Sequence, residues 1–124
     1  MINANSRVAY DGLKNTAVVL TGLADSQGGA EIKQVKVLAA DLVPPAVVKV
    51  THISWSVTGG SVSLLWDDPN DDTPLAVLSG QGDLCFDTIG GLTNGASDPT
   101  GDILLSTQEF LPGSGYTISL EMRK

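Results

Sequence analysis

From Tyr116 to Arg123 the chain alternates strictly, with Tyr116, Ile118, Leu120 and Met122 apolar and Thr117, Ser119, Glu121 and Arg123 polar. Successive side chains of a β-strand point to opposite faces, so this run specifies a strand with one buried and one wet face. A helix would need apolar residues every three to four positions instead. The same alternation recurs in Ile53, Trp55 and Val57 between His52, Ser54 and Ser56, and in Val62, Leu64 and Trp66 between Ser61 and Ser63. Thr58-Gly59-Gly60 separates these two runs and reads as a hairpin connection, because glycine supplies the positive φ that tight turns require.

Further strand signals follow at short intervals. Thr16 to Leu23 and Glu31 to Leu38 flank the polar stretch Asp25 to Gly29 and read as a second hairpin. Pro44 and Pro45 break the pattern, so Ala39 to Pro45 is expected to cross between sheets before a strand at Ala46 to Val50. Leu75 to Leu78, Gly82 to Phe86 and Ile103 to Thr107 are shorter candidates, and Gly90 to Pro99 is a loop rich in glycine and small polar residues. Recurrent short strands without helical periodicity give an all-β class: one β-sandwich domain, jelly-roll-like, of about eight strands. With 124 residues the chain suits a single domain, read as 16–124, preceded by residues 1–15 as an N-terminal arm or first edge segment.

The charge distribution narrows the function. The formal net charge is −7, and from Val50 to Met122 there are ten acids and no Lys or Arg. Such a surface repels a phosphate backbone, so direct nucleic-acid binding is not expected. An acidic flank suits solvation, a basic partner, or the lysine-bearing first half of another copy, and a homo-oligomer is expected. The most apolar stretch, Leu38 to Val48, is broken by Asp41 and the two prolines, well short of the roughly 20 residues that span a bilayer. The first residues carry Asn3, Asn5, Ser6 and Arg7 where a secretory signal has an apolar core, so synthesis in a cytoplasm is expected. Cys85 is the one cysteine, which excludes an internal disulfide.

Chemistry-bearing residues are few. His52 is the one histidine and lies on the polar face of its run, as a solvated or hydrogen-bonded surface residue does. Asp67, Asp68, Asp71 and Asp72 could gather oxygen ligands for a hard cation, but they lack the order of an EF-hand loop and equally suit a turn. No Walker-type loop is present. Trp55 and Trp66 share the phase of apolar neighbours, which places them in the core rather than on a sugar-stacking platform. No enzyme activity and no cofactor are expected. The N-terminal segment, polar but with Arg7, Tyr10 and Leu13, is the candidate for contacting a partner.

Four segments carry a wider likeness: Asn5 to Gly12, Leu64-Leu65-Trp66-Asp67, Gly101 to Leu105, and the ending Tyr116 to Lys124. Through them the chain resembles the small all-β virion proteins of tailed bacteriophages that decorate or cement the capsid. The resemblance implies a structural protein on the capsid surface of a virion, made in the host cytoplasm, that binds the major capsid protein or another virion protein. A tail, connector or fibre-associated virion protein, or a carbohydrate-binding module acting in host adsorption, are the alternatives.

Overall fold

The computed structural model describes residues 2–12, 14–25, 31–37, 49–69, 71–95 and 100–123. Seven strands run through them: β1 (Ile2–Asp11), β2 (Asn15–Ala24), β3 (Gln34–Val37), β4 (Lys49–Trp66), β5 (Thr73–Cys85), β6 (Ile103–Gln108) and β7 (Gly115–Arg123). The only helical element among the described residues is one 3-10 turn, Asp87–Ile89. No helix among the described residues is long and apolar enough to cross a membrane. The expected crossover at residues 39–45 lies outside the described residues, as does Leu13.

All strand pairings are antiparallel, in the order β1-β2-β7-β4-β6-β3 with β5 on the other side of β4. The 18-residue β4 organises the molecule. Its first half pairs with β7 and its second half with β6, while β5 follows it along both halves. One layer is therefore β1-β2-β7 with the first half of β4, and the other is β3-β6 with the second half. The β4–β5 ribbon bends from one layer into the other. This is a β-sandwich whose two sheets share strands.

Thr58-Gly59-Gly60 thus does not reverse the chain, as the sequence suggests. It bends a single strand. Val57 pairs with Gly80 and Val62 with Leu78, so β4 carries extra residues here relative to β5. The inward set changes from odd positions (Ile53, Val57) to even ones (Val62, Leu64, Trp66), and the bulge turns both sets into one core. Gly59 has φ +87°, and a Cβ on Gly60 would collide with the Gln108 carbonyl oxygen and the Phe110 ring. Only glycine fits both positions. A second irregularity, between Val50 and His52, lets Val50 and Ile53 both face inward, and the Thr51 hydroxyl there donates to the Glu121 carbonyl at 2.9 Å.

The other expected hairpin is also absent, because β2 pairs with β1 and β7 whereas β3 pairs with β6. The candidates at Leu75 to Leu78 and Gly82 to Phe86 are one continuous strand, β5, just as the runs on either side of Thr58-Gly59-Gly60 are one strand, β4; with these mergers and with β1 added, the described residues hold seven strands. Alternation is kept in β7, where Tyr116, Ile118, Leu120 and Met122 are all buried beside Val18 and Leu20 of β2.

Candidate interaction surface

The outward positions of the β1-β2-β7-β4-β5 layer follow from the register. Ala17, Glu121, His52 and Cys85 align across β2, β7, β4 and β5, then Val19, Ser119, Ser54 and Asp83, then Thr21, Thr117, Ser56 and Gln81. Tyr10, Arg7 and Asn5 of β1 continue these three rows at the edge. The face is broad and rich in hydroxyls. A shallow depression of about 350 Å³ opens on it, with Thr21, Ser56, Thr58 and Thr117 among its lining residues.

Strand β1 is the most exposed part of this surface. Residues 4–10 are exposed on both faces, with Tyr10 60% and Val8 56% accessible. The strand is nonetheless fixed in place. The buried Thr16 hydroxyl donates to the Tyr10 carbonyl at 2.9 Å, and the Ser6 hydroxyl donates to the Lys36 carbonyl at 2.8 Å. Of the three residues expected to contact a partner, Arg7 and Tyr10 stand on the outward side of β1.

The acidic run is occupied by structural bonds. Asp67 Oδ2 accepts from the Thr100 hydroxyl at 2.8 Å, and Asp72 Oδ1 accepts from the Asp68 backbone N–H at 3.1 Å. The other Asp72 oxygen lies 3.1 Å from Lys33 Nζ. Asp68 is buried and Asp71 exposed. These contacts close the connection from β4 to β5 and tie it to the segments before β3 and β6. Among the described residues, no three His, Cys, Asp or Glu side chains are arranged to hold a metal ion.

The Asp68 N–H, followed by Lys33, holds the Asp72 carboxyl below its ordinary value of 3.8. A depressed carboxylate stabilises the fold above its unfolded pKa, and that contribution is lost as pH falls through the folded value. Asp72→Asn keeps an acceptor but loses the charge. It is expected to lower the urea midpoint at neutral pH and to flatten the decline of that midpoint below about pH 4.

His52 is held between two carboxylates: Nε2 bonds Asp83 Oδ1 at 2.5 Å, and Nδ1 lies 3.3 Å from Glu121 Oε2. Activating a nucleophile requires one ring nitrogen to meet a hydroxyl or thiol. Both nitrogens here face carboxylates, and Cys85, opposite His52 in the register, directs its Sγ to Asp87 at 3.7 Å. The two acids also lie against opposite nitrogens of one ring, so they do not converge with it on a common ion. The arrangement orders side chains across β5, β4 and β7.

Trp66 is buried, as its phase requires. Trp55 is only half-buried: its ring lies against Gly82, where any Cβ would collide with it, and its Nε1–H donates to the Ser79 carbonyl at 3.0 Å. The ring is thus engaged by β5. What sequence reasoning missed is a buried polar cluster. Glu31, 5% exposed, accepts from the Tyr116 hydroxyl at 2.5 Å and pairs with Lys36, whose side chain is 8% exposed. The Glu31 backbone N–H also donates to the Thr107 hydroxyl at 2.8 Å. Glu31 meets Thr107 and Tyr116 there across 76 and 85 positions of sequence, and no local pattern announces it.

No protein-family model and no curated protein matches the chain. A solved structure described as cobalt(II) HppE in complex with substrate aligns over 94% of this chain at 10% identity and a TM-score of 0.34. The chain spans about half of that structure, 51% of its length, and a likeness this low carries no functional argument.

Proposed function

We propose that the chain is a non-enzymatic virion structural protein of a tailed bacteriophage, a capsid decoration protein that binds the major capsid protein and stabilises the head. The observation that carries this reading is strand β1, fixed at the edge of the sandwich yet exposed along residues 4–10, with Arg7 and Tyr10 on its outward side. An exposed edge strand offers unpaired backbone groups to another chain. The acidic stretch from Val50 to Met122 suits a basic lattice surface. Stabilisation needs no chemistry: a protein that binds the assembled lattice more tightly than free subunits raises lattice stability by mass action.

The test compares particles stripped of the protein with particles to which it has been restored. Restored particles are expected to withstand higher temperature or internal pressure, and added salt should weaken attachment if the acidic face meets basic capsid residues. Arg7→Ala with Tyr10→Ala should reduce apparent affinity on the order of tenfold while leaving thermal unfolding of the free protein unchanged. Equal particle stability with and without the protein would exclude a cementing role.

A further inference from the structure

We propose that a small cavity where β1, β2, β7 and β4 meet binds a primary ammonium on an alkyl stem, the group that ends a lysine side chain. This does not depend on the virion reading. The cavity measures about 220 Å³, and its walls include Tyr10, Thr16 and Ala17, Thr51, and Glu121 and Met122. That is below the roughly 300–1,000 Å³ of pockets for drug-sized ligands and suits the end of one side chain. Its aromatic wall is held in place. The register shift between Val8 and Tyr10 sets Tyr10 opposite Ala17, on the outward side. The Tyr10 ring lies against Gly12, where a Cβ would come within 2.6 Å of the phenol oxygen.

The polar groups select the ligand through the hydrogen bonds they still have open. The Thr16 hydroxyl gives its proton to the Tyr10 carbonyl, and the Thr51 hydroxyl to the Glu121 carbonyl, each at 2.9 Å. Both hydroxyl oxygens therefore retain only lone pairs, and can serve the cavity as acceptors but not as donors. Glu121 turns Oε2 toward His52 Nδ1 at 3.3 Å, and no described residue bonds its Oε1. A carboxylate, two acceptor hydroxyls and an aromatic ring together match a cation that carries several N–H donors. Ala17 and Met122 supply apolar surface for its stem. Asn15, also on the wall, is neutral, while the cations Arg123 and Lys49 occupy the adjoining row and do not line the cavity. An anion would meet the Glu121 charge instead.

Amide NMR of the free full chain at pH 7 and constant ionic strength tests this with n-butylammonium, its neutral analogue n-butanol, and Nα-acetyl-lysine N-methylamide. n-Butylammonium should shift the amides of Tyr10, Ala17, Thr51 and Glu121 with a dissociation constant on the order of millimolar, and n-butanol should leave them in place. Glu121→Gln should weaken binding about tenfold by removing the charged acceptor. Tyr10→Leu should weaken it about threefold by removing the ring. Gly12→Ala displaces that ring and should match Tyr10→Leu. His52→Gln separates contact from scaffolding: binding should hold or tighten, because Glu121 then has no competing cation. None of these positions is buried, and unchanged circular dichroism checks folding of each variant. A loss with His52→Gln as large as with Glu121→Gln would mean that the carboxylate acts through the sheet and not on the ligand, and the proposal fails. Equal shifts by n-butanol, or none with n-butylammonium up to about 100 mM, overturn it as well. Binding of the lysine derivative assigns the site to a lysine side chain of another protein, and binding of n-butylammonium alone assigns it to a free amine; either supports an ammonium site and decides its source.

Discussion

Replacing Glu31 by leucine is expected to cost about 3–5 kcal/mol, the range for breaking a buried ion pair by removing one partner. Glu31 links Lys36 and Tyr116 in a nearly dry site, so its loss leaves an ammonium and a phenol without their acceptor. Adding Lys36→Met to Glu31→Leu should recover most of that loss, because an apolar pair of similar volume has no desolvation penalty to offset. Urea unfolding of the single and double variants at pH 7 checks this, and a double variant no more stable than Glu31→Leu alone would show that the ammonium is not the source of the cost. Alkaline pH probes the same cluster. Burial, followed by the Glu31 hydrogen bond and charge, raises the Tyr116 pKa above its ordinary value of 10.0. A raised acid contributes stability that is complete below the unfolded pKa and is lost as pH climbs beyond it, so stability should fall above about pH 10. Tyr116→Phe should remove that part of the decline.

Trp66→Ala is expected to destabilise the fold by roughly 3–5 kcal/mol, through lost transfer energy and the cavity left behind. Trp66 is 2% exposed, and its strand pairs with β5 on one side and β6 on the other, so the surrounding backbone has little freedom to collapse into the space. A loss below about 1 kcal/mol would mean that the second half of β4 does not pack as described. Trp55→Ala should cost less, since that ring is half-buried and lies against the edge of β5.

The contrast between β7 and β4 shows what the sequence makes legible. In β7 one face is buried along the whole length, so alternation alone identifies the strand, its inward residues and its all-β setting. In β4 the alternation survives on each side of Gly59-Gly60, but a glycine pair between two alternating runs is common to a hairpin and to a bent strand. Deciding between them needs the partners: β5 runs past both halves, while β7 and β6 divide the other side. Such pairings join residues far apart and leave no local mark. The same limit hides the meeting of Glu31 and Tyr116 and the carboxylates on either side of His52. Arg7 and Tyr10 are legible as a polar, weakly apolar N-terminal segment, but that this segment is an ordered edge strand becomes visible only in its ladder with β2.

The position of β7 bears on how the chain is made. β1 and β2 form a hairpin, and among the described residues its only ladder to the rest of the sheet runs through β7, which begins about 90 residues after β2 ends. During synthesis that hairpin must wait on the ribosome, its inward Val18 and Leu20 uncovered by their final neighbours, while β4, β5 and β6 emerge and can assemble around the central bend. Insertion of the late-arriving Gly115–Arg123 between β2 and β4 then joins the hairpin to the rest of the sheet. A nascent chain stalled before residue 115 is accordingly the species most prone to pair its idle hairpin with a stranger.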